Sequence, residues 1–210
     1  VHTFAGAKGE IKDSPMIRVL LLQDTVKAAI VSMEIAQAPD DQVAYTKEIV
    51  SEICGVDPAN VWVHSTHQFG FMHRPGDAAK AAIYDAAMKN AVTEAARQAV
   101  ETFQPAVLGV GTGDCHVSAN KNIPRPDGVE GGPYYGPGST LETNTTMTIL
   151  RFDSLSGEPI GFFMSYGVKP SALCTTGKTV GNRELNSEVP GVACKLMEEE
   201  FDAPCVFCMP

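Results

Sequence analysis

The stretch Asn60-Val61-Trp62-Val63-His64-Ser65-Thr66-His67-Gln68-Phe69-Gly70-Phe71-Met72-His73 decides how the chain is read. Val61 and Val63 mark a short buried strand. Three of the chain's five histidines, His64, His67 and His73, fall at or beyond its C-terminal end. Ligands and catalytic groups collect at such strand ends in open α/β sheets. A strand holds one imidazole rigidly and the following loop lets others converge on it, which is what a metal or an acid–base group requires. The plainer alternative is a loop with one buried and two solvated histidines.

Outward from this strand the pattern alternates between strand and helix. Arg18 to Gln23 and Ala28 to Ile35 are apolar, β-branched runs joined at Asp24-Thr25, the pattern of a hairpin. Asp41 to Gly55 reads as a helix with Val43, Ile49, Val50 and Ile53 as its inner face and Gly55 as its stop. Asp77 to Phe103 reads as a long helix with Tyr84, Met88, Val92, Ala95 and Ala99 as its stripe. Ala106 to Val117 is a strand in which Gly109, Gly111 and Gly113 alternate, implying close approach of another backbone on that face. This G-x-G-x-G spacing opens no helix and is not a dinucleotide fingerprint. Asn120 to Thr140, with four prolines and five glycines, is a long irregular loop of the functional or mobile kind. Thr145 to Asp153 and Pro159 to Val168 form a second hairpin around Leu155-Ser156-Gly157-Glu158. Ser187 is placed to cap a last helix running to Phe201, and Cys205 to Met209 is a final strand. The expected fold is an α/β domain over residues 1–210, a mixed β-sheet flanked by helices.

Composition narrows the function classes. With 44% hydrophobic and 20% charged residues the chain can bury a core. A formal net charge of −9 speaks against a general nucleic-acid or anionic-membrane binder, since phosphate binding needs clustered Lys and Arg. No run of about 18 apolar residues offers a membrane span. The first ten residues lack the basic start and apolar stretch of a signal peptide. Six scattered cysteines in a chain of this size read as reduced thiols and a cytoplasmic location. Cys205-Val-Phe-Cys208 is formally C-x-x-C, but it lacks a second pair and sits in an apolar strand, where residues three apart point to opposite faces.

Taken in order, these segments resemble the N-terminal catalytic domain of the neutral/alkaline ceramidases, zinc-dependent amidases. Asn60 to His67 resembles a strand ending in Thr-His-Thr-His-Ser. Asn120-Lys121-Asn122-Ile123-Pro124 resembles an Asn-Arg-Ser-Pro loop, and Asn144 to Asp153 the strand before a hairpin. Gly161 to Leu173 resembles a strand ending in His-Pro, Gly181 to Phe201 the turn and helix after it, and Cys205 to Pro210 a strand leading into Gly-Asp-x-Ser. The resemblance runs from about Arg18 to Pro210 and implies an incomplete ceramidase-like domain whose remainder follows residue 210.

The departures from that pattern define the candidate site. By the resemblance, His67 falls on the first zinc histidine, Phe69 on the catalytic histidine, Lys169 on another zinc histidine and Lys121 near the active-site arginine. A lysine ammonium is a poor ligand and repels a divalent cation, so the family's zinc site is degenerate here. His67 is the one metal candidate left, with His64, His73 and His116 as groups from which a zinc site would have to be rebuilt. Without metal, Lys169 serves either as a desolvated base or nucleophile, or as a cation for an oxyanion or a substrate carboxylate. Lys169, His67 and Lys121 are thus the catalytic candidates. His73, His116, Tyr134 and Tyr135 are the substrate-binding ones, the tyrosines offering faces and hydroxyls from a lid-like loop.

Three functions follow as expectations. The first is a hydrolase of a small-molecule amide bond on a ceramidase-like scaffold. The second is one chain of a self-processed amidohydrolase whose nucleophile begins a second chain, since the sequence stops within an apolar strand. The third is a catalytically inactive binding or assembly protein. Such a bare terminal strand is also expected to pair with a second chain or in a homo-oligomer.

Overall fold

The computed structural model describes residues 14–68, 74–123, 134–135, 141–171 and 186–210, with backbone alone at 134–135. Nine strands, three α-helices and a single 3-10 turn at Pro58–Asn60 follow in order among the described residues. β1 (Ile17–Gln23) and β2 (Lys27–Met33) pair antiparallel, as the alternating apolar runs imply, and β3 (Val61–Ser65) adds parallel to β2. Between them lies α1 (Asp40–Cys54), ended by Gly55 in the left-handed region at φ 64°, where its N–H donates to the Ser51 carbonyl. α2 (Ala78–Glu101) begins at Asp77, whose carboxylate accepts from the Lys80 N–H.

Ala29, Val31 and Met33 on one face of β2 join Val61 of β3, Val50 and Cys54 of α1, and Tyr84, Met88, Val92 and Ala96 of α2 in one core. The buried face of α1 is wider than its apolar pattern predicts: Val50 is buried and Ile49 and Ile53 pack against the core as expected, and polar residues join them. Gln42, Thr46, Val50 and Cys54 point inward, and Val43 is only half-buried. Thr46 is accommodated because its hydroxyl donates to the Gln42 carbonyl at 2.7 Å, so a polar side chain enters the core with its hydrogen bond made.

A second sheet holds β4 (Ala106–Asp114), β7 (Thr146–Ser154), β8 (Pro159–Ser165) and β9 (Cys205–Cys208) in that order, with β8 and β9 parallel and the other pairs antiparallel. α3 (Glu188–Phe201) packs on β9 and shares a core with Phe162, Met164, Tyr166, Cys205 and Phe207. The short strands β5 (Asn122–Ile123) and β6 (Tyr134–Tyr135) pair with each other. The mixed pairing expected of one sheet is therefore divided between two. Contacts through side chains join them: Ser32 Oγ donates to the Phe207 carbonyl at 2.7 Å, and His64 Nε2 accepts from the Met209 N–H at 3.1 Å.

Three further expectations are corrected. β9 is no bare edge, because all four of its residues are buried between β8 and the first sheet. The exposed edge is β4, where Val107, Leu108 and Val110 are all more than half exposed. Among the described residues no backbone crowds its glycines: a side chain at Gly111 or Gly113 would meet nothing within 4 Å, and one at Gly109 only the Arg151 carbonyl at 3.9 Å. Ser187 does not cap α3, since its backbone is not extended and its side chain accepts no cap hydrogen bond. Cys54, Cys115, Cys194, Cys205 and Cys208 are free thiols, and burial pushes Cys208 up to about 11.

Candidate functional site

The ends of β2, β3, β8 and β9 meet on one side of the molecule, through His64 to Met209 and through the Tyr166 N–H to the Cys208 carbonyl at 3.2 Å. Beyond β3, the Thr66 N–H donates to the Met33 carbonyl at 2.9 Å and carries the β2–β3 alignment one residue further. The chain then turns at His67, which takes a left-handed φ of 52°. Such a conformation in a non-glycine residue stores strain that its surroundings must hold, and it is common at functional sites. His67 Nδ1 lies 2.8 Å from the Ala36 carbonyl. A carbonyl only accepts, so Nδ1 carries the proton and the lone pair of the neutral ring is on Nε2.

Thr66 and Gln68, which flank His67, are completely buried. Gln68 Nε2 donates to the Glu34 carbonyl. Among the described residues the Thr66 hydroxyl and Gln68 Oε1 meet no hydrogen-bond partner, a costly state for buried oxygens. Glu34 is buried beneath them and pairs with Arg18, which also binds Glu198 of α3 at 2.8 Å. Burial raises the Glu34 carboxyl above its ordinary range, with Arg18 opposing. Burial works against the Arg18 charge, yet the carboxylates of Glu198 and Glu34 hold its pKa above the ordinary value.

The lysines stand in a neighbouring cleft. Tyr166, fully buried after β8, ties that strand end to the segment after β4. Its hydroxyl lies 2.7 Å from both the Cys115 carbonyl and Ser118 Oγ, and it accepts from the Ser118 N–H at 3.1 Å. Asn120 Nδ2 donates to the Glu142 carbonyl at 3.0 Å and Asn120 Oδ1 accepts from the Asn122 N–H at 3.0 Å, a local turn that presents Lys121. Lys121 and Lys169, both exposed, line one cleft of about 340 Å³ with Ser118, Asn122 and Ser171. Val189, in the first turn of α3, completes its wall. Its neighbour Glu188 is buried at a left-handed φ of 52°, with its N–H donating to Asn186 Oδ1 at 3.0 Å.

Of the residues singled out from sequence, Lys121 and Lys169 are thus brought together, while His67 is not among those lining their cleft. The backbone pairing of Asn122 with Tyr135 places β6 beside the lysine segment, and the side chains of Tyr134 and Tyr135 lie outside the described residues. His73 and Phe69 also lie outside them. His116 is exposed beyond β4 and belongs to the other sheet from β3, so it does not approach His67 across a shared sheet. His64 uses Nε2 to hold Met209, and burial lowers its pKa.

Among the described residues no donor set of the size zinc requires is assembled. His67 has the carbonyl-anchored ring typical of a ligand, but among the described residues no three of His, Cys, Asp and Glu gather around a common point. Sequence reasoning missed Glu34, Gln68 and Tyr166. A lone carboxylate in the apolar run Ile30-Val31-Ser32-Met33-Glu34-Ile35 was the available signal for a buried, paired charge.

Comparison with solved structures identifies the architecture. The chain superposes on a ceramidase complexed with C2 at a TM-score of 0.61, with 16% identity over 98% of this chain and 33% of that one. It superposes on the neutral ceramidase from Pseudomonas aeruginosa at a TM-score of 0.53, with 18% identity over 89% of this chain and 30% of that one. No family model and no curated protein matches the sequence. The fold is ceramidase-like, and the chain spans about a third of the length of these ceramidases.

Proposed function

We propose that the chain forms part of a hydrolase that cleaves the C–N bond of a small-molecule amide. What supports this most is His67: on a ceramidase-like fold it stands at a strand end, strained, with its Nδ1 proton held by the Ala36 carbonyl. In this reading Nε2 takes a proton from water, and the water oxygen bonds to the amide carbon. The C–N bond then breaks and the proton passes to the departing nitrogen. Lys169, exposed in the neighbouring cleft that His67 does not line, takes no part in the proton transfer and serves to hold a part of the substrate away from the reacting carbonyl. No step is assigned to zinc.

A second reading, a binding protein of the same fold without activity, draws support from the lysine that replaces a ligand histidine in the resembled pattern. Amine release from a panel of N-acyl amides separates the two. The hydrolase reading expects release by the native protein and a loss of about a hundredfold in His67→Ala, the usual worth of a general base. Absence of release, or full release by His67→Ala, overturns it.

A further inference from the structure

Three successive residues at the end of β3 are tied to one short segment after β2. Thr66 donates its backbone N–H to the Met33 carbonyl at 2.9 Å, and His67 donates from Nδ1 to the Ala36 carbonyl at 2.8 Å. Gln68 donates from Nε2 to the Glu34 carbonyl between them. Met33, Glu34, Ala36, Thr66 and Gln68 are all buried. The Glu34 acceptor is itself held. Its N–H donates to the Met16 carbonyl at 3.0 Å, and its carboxylate accepts from the Met16 N–H at 3.0 Å and pairs with Arg18. The Glu34 carbonyl is therefore a fixed point for whatever binds it. His67 keeps its left-handed φ of 52° only while contacts on both sides offset the strain. The Thr66 N–H fixes the chain where it enters this turn, and the Gln68 side chain fixes it where it leaves. Space-filling alone does not account for an amide at position 68. A leucine would occupy the same buried volume with no polar group to desolvate.

We propose, resting on the amide-hydrolase reading, that Gln68 is the positioning residue of His67. Its hydrogen bond to the Glu34 carbonyl holds the turn in which His67 Nδ1 meets the Ala36 carbonyl, and so keeps the proton on Nδ1 and the basic lone pair on Nε2. Released from Glu34, the chain relaxes at His67, Nδ1 leaves its acceptor and the ring protonates at either nitrogen. This hold on the ring is measurable without any substrate.

The experiment is proton–nitrogen correlation NMR of the full chain with isotopically labelled histidine, above the ordinary histidine pKa, where the pattern reads which ring nitrogen carries the proton. The His67 signals are assigned by their loss in His67→Ala. The native protein is expected to show the Nδ1–H tautomer. Gln68→Leu is expected to move the tautomer ratio about tenfold toward Nε2–H, the upper end for one hydrogen bond. The same variant is expected to lower kcat for N-acyl amides about tenfold at unchanged KM. Thr46→Val, which removes a buried hydrogen bond of α1, controls for a merely structural loss and should move neither reading. An unchanged tautomer ratio in Gln68→Leu overturns the proposal, and so does unchanged kcat where the native protein hydrolyses amides. If circular dichroism shows Gln68→Leu unfolded, Gln68→Met, unbranched and adaptable, takes its place. The native protein also answers alone: Gln68 carboxamide protons that exchange as fast as exposed ones overturn the proposal. A shifted tautomer in a protein that hydrolyses no acyl amide sinks the hydrolase reading and leaves the hold of Gln68 on His67. Hydrolysis with an unshifted tautomer does the reverse.

Discussion

Replacing Arg18 by Met is expected to cost the protein more stability than any single surface change, by an amount that depends on pH. Arg18 has 11% of its side chain exposed and Glu34 has 3%, so their pair is shielded from water. Once Arg18 is gone, the Met16 N–H at 3.0 Å remains as a donor to the Glu34 carboxylate. Removing one partner of a buried pair costs about 3–5 kcal/mol because the other charge is left behind. The Glu198 side, 30% exposed, adds only what a surface pair is worth, about 0–1 kcal/mol. At about 2–4 °C per kcal/mol for a chain of this size, the melting temperature falls by roughly 6–20 °C. The Glu34 carboxyl is already raised by burial, and losing Arg18 raises it further. The folded state then holds a proton that the unfolded state has released, so stability declines as pH rises and recovers as it falls. Urea denaturation followed by circular dichroism at pH 7 and pH 5 measures this. The deficit relative to wild type is expected to be smaller at pH 5, and Arg18→Met combined with Glu34→Gln is expected to regain most of it at pH 7. A loss below about 1 kcal/mol at pH 7, or an equal loss at both pH values, would refute a buried, charged Glu34.

A methyl group at Gly191 would lie 2.2 Å from Ser187 Cβ and 2.8 Å from Glu34 Oε2, so Gly191→Ala is expected to destabilise by about 1–3 kcal/mol. Gly111→Ala, with open space around it, should stay within about 0.5 kcal/mol, and thermal melts of the two variants check the contrast. Burial lowers the His64 pKa, so its contribution is present above the ordinary value of about 6.5 and is lost as pH falls through the depressed one. His64→Gln keeps an acceptor for the Met209 N–H and should flatten the loss of stability between pH 7 and pH 5; identical slopes would show that His64 does not titrate on unfolding. Lys169→Met should lower amide turnover about tenfold, or about 1.4 kcal/mol, with an unchanged melting temperature, and full activity would make Lys169 an ordinary exposed lysine.

The elements themselves were legible in the sequence because their signals are local. Period-two alternation placed both hairpins, helical spacing and Gly55 placed α1, and Val61 and Val63 placed the strand that ends at the histidines. The collinear motifs carried the chain as far as a ceramidase-like architecture, because order and spacing along a chain survive when individual residues do not. They also marked His67, Lys121 and Lys169. Tertiary structure decided what these elements face. Thr46 enters the buried face of α1 because its hydroxyl can donate to the Gln42 carbonyl there, which a hydrophobic stripe does not express. Gly111 and Gly113 of β4 meet no neighbour among the described residues, because what covers a strand depends on distant segments. Arg18 meets Glu198 across 180 residues, Ser32 meets Phe207 across 175, and His64 meets Met209 across 145. These partners fix the pairing of the sheets, the buried charge and the convergence of strand ends. Each exists only when two segments far apart in the chain pack side by side, and no spacing within either segment encodes the other's place.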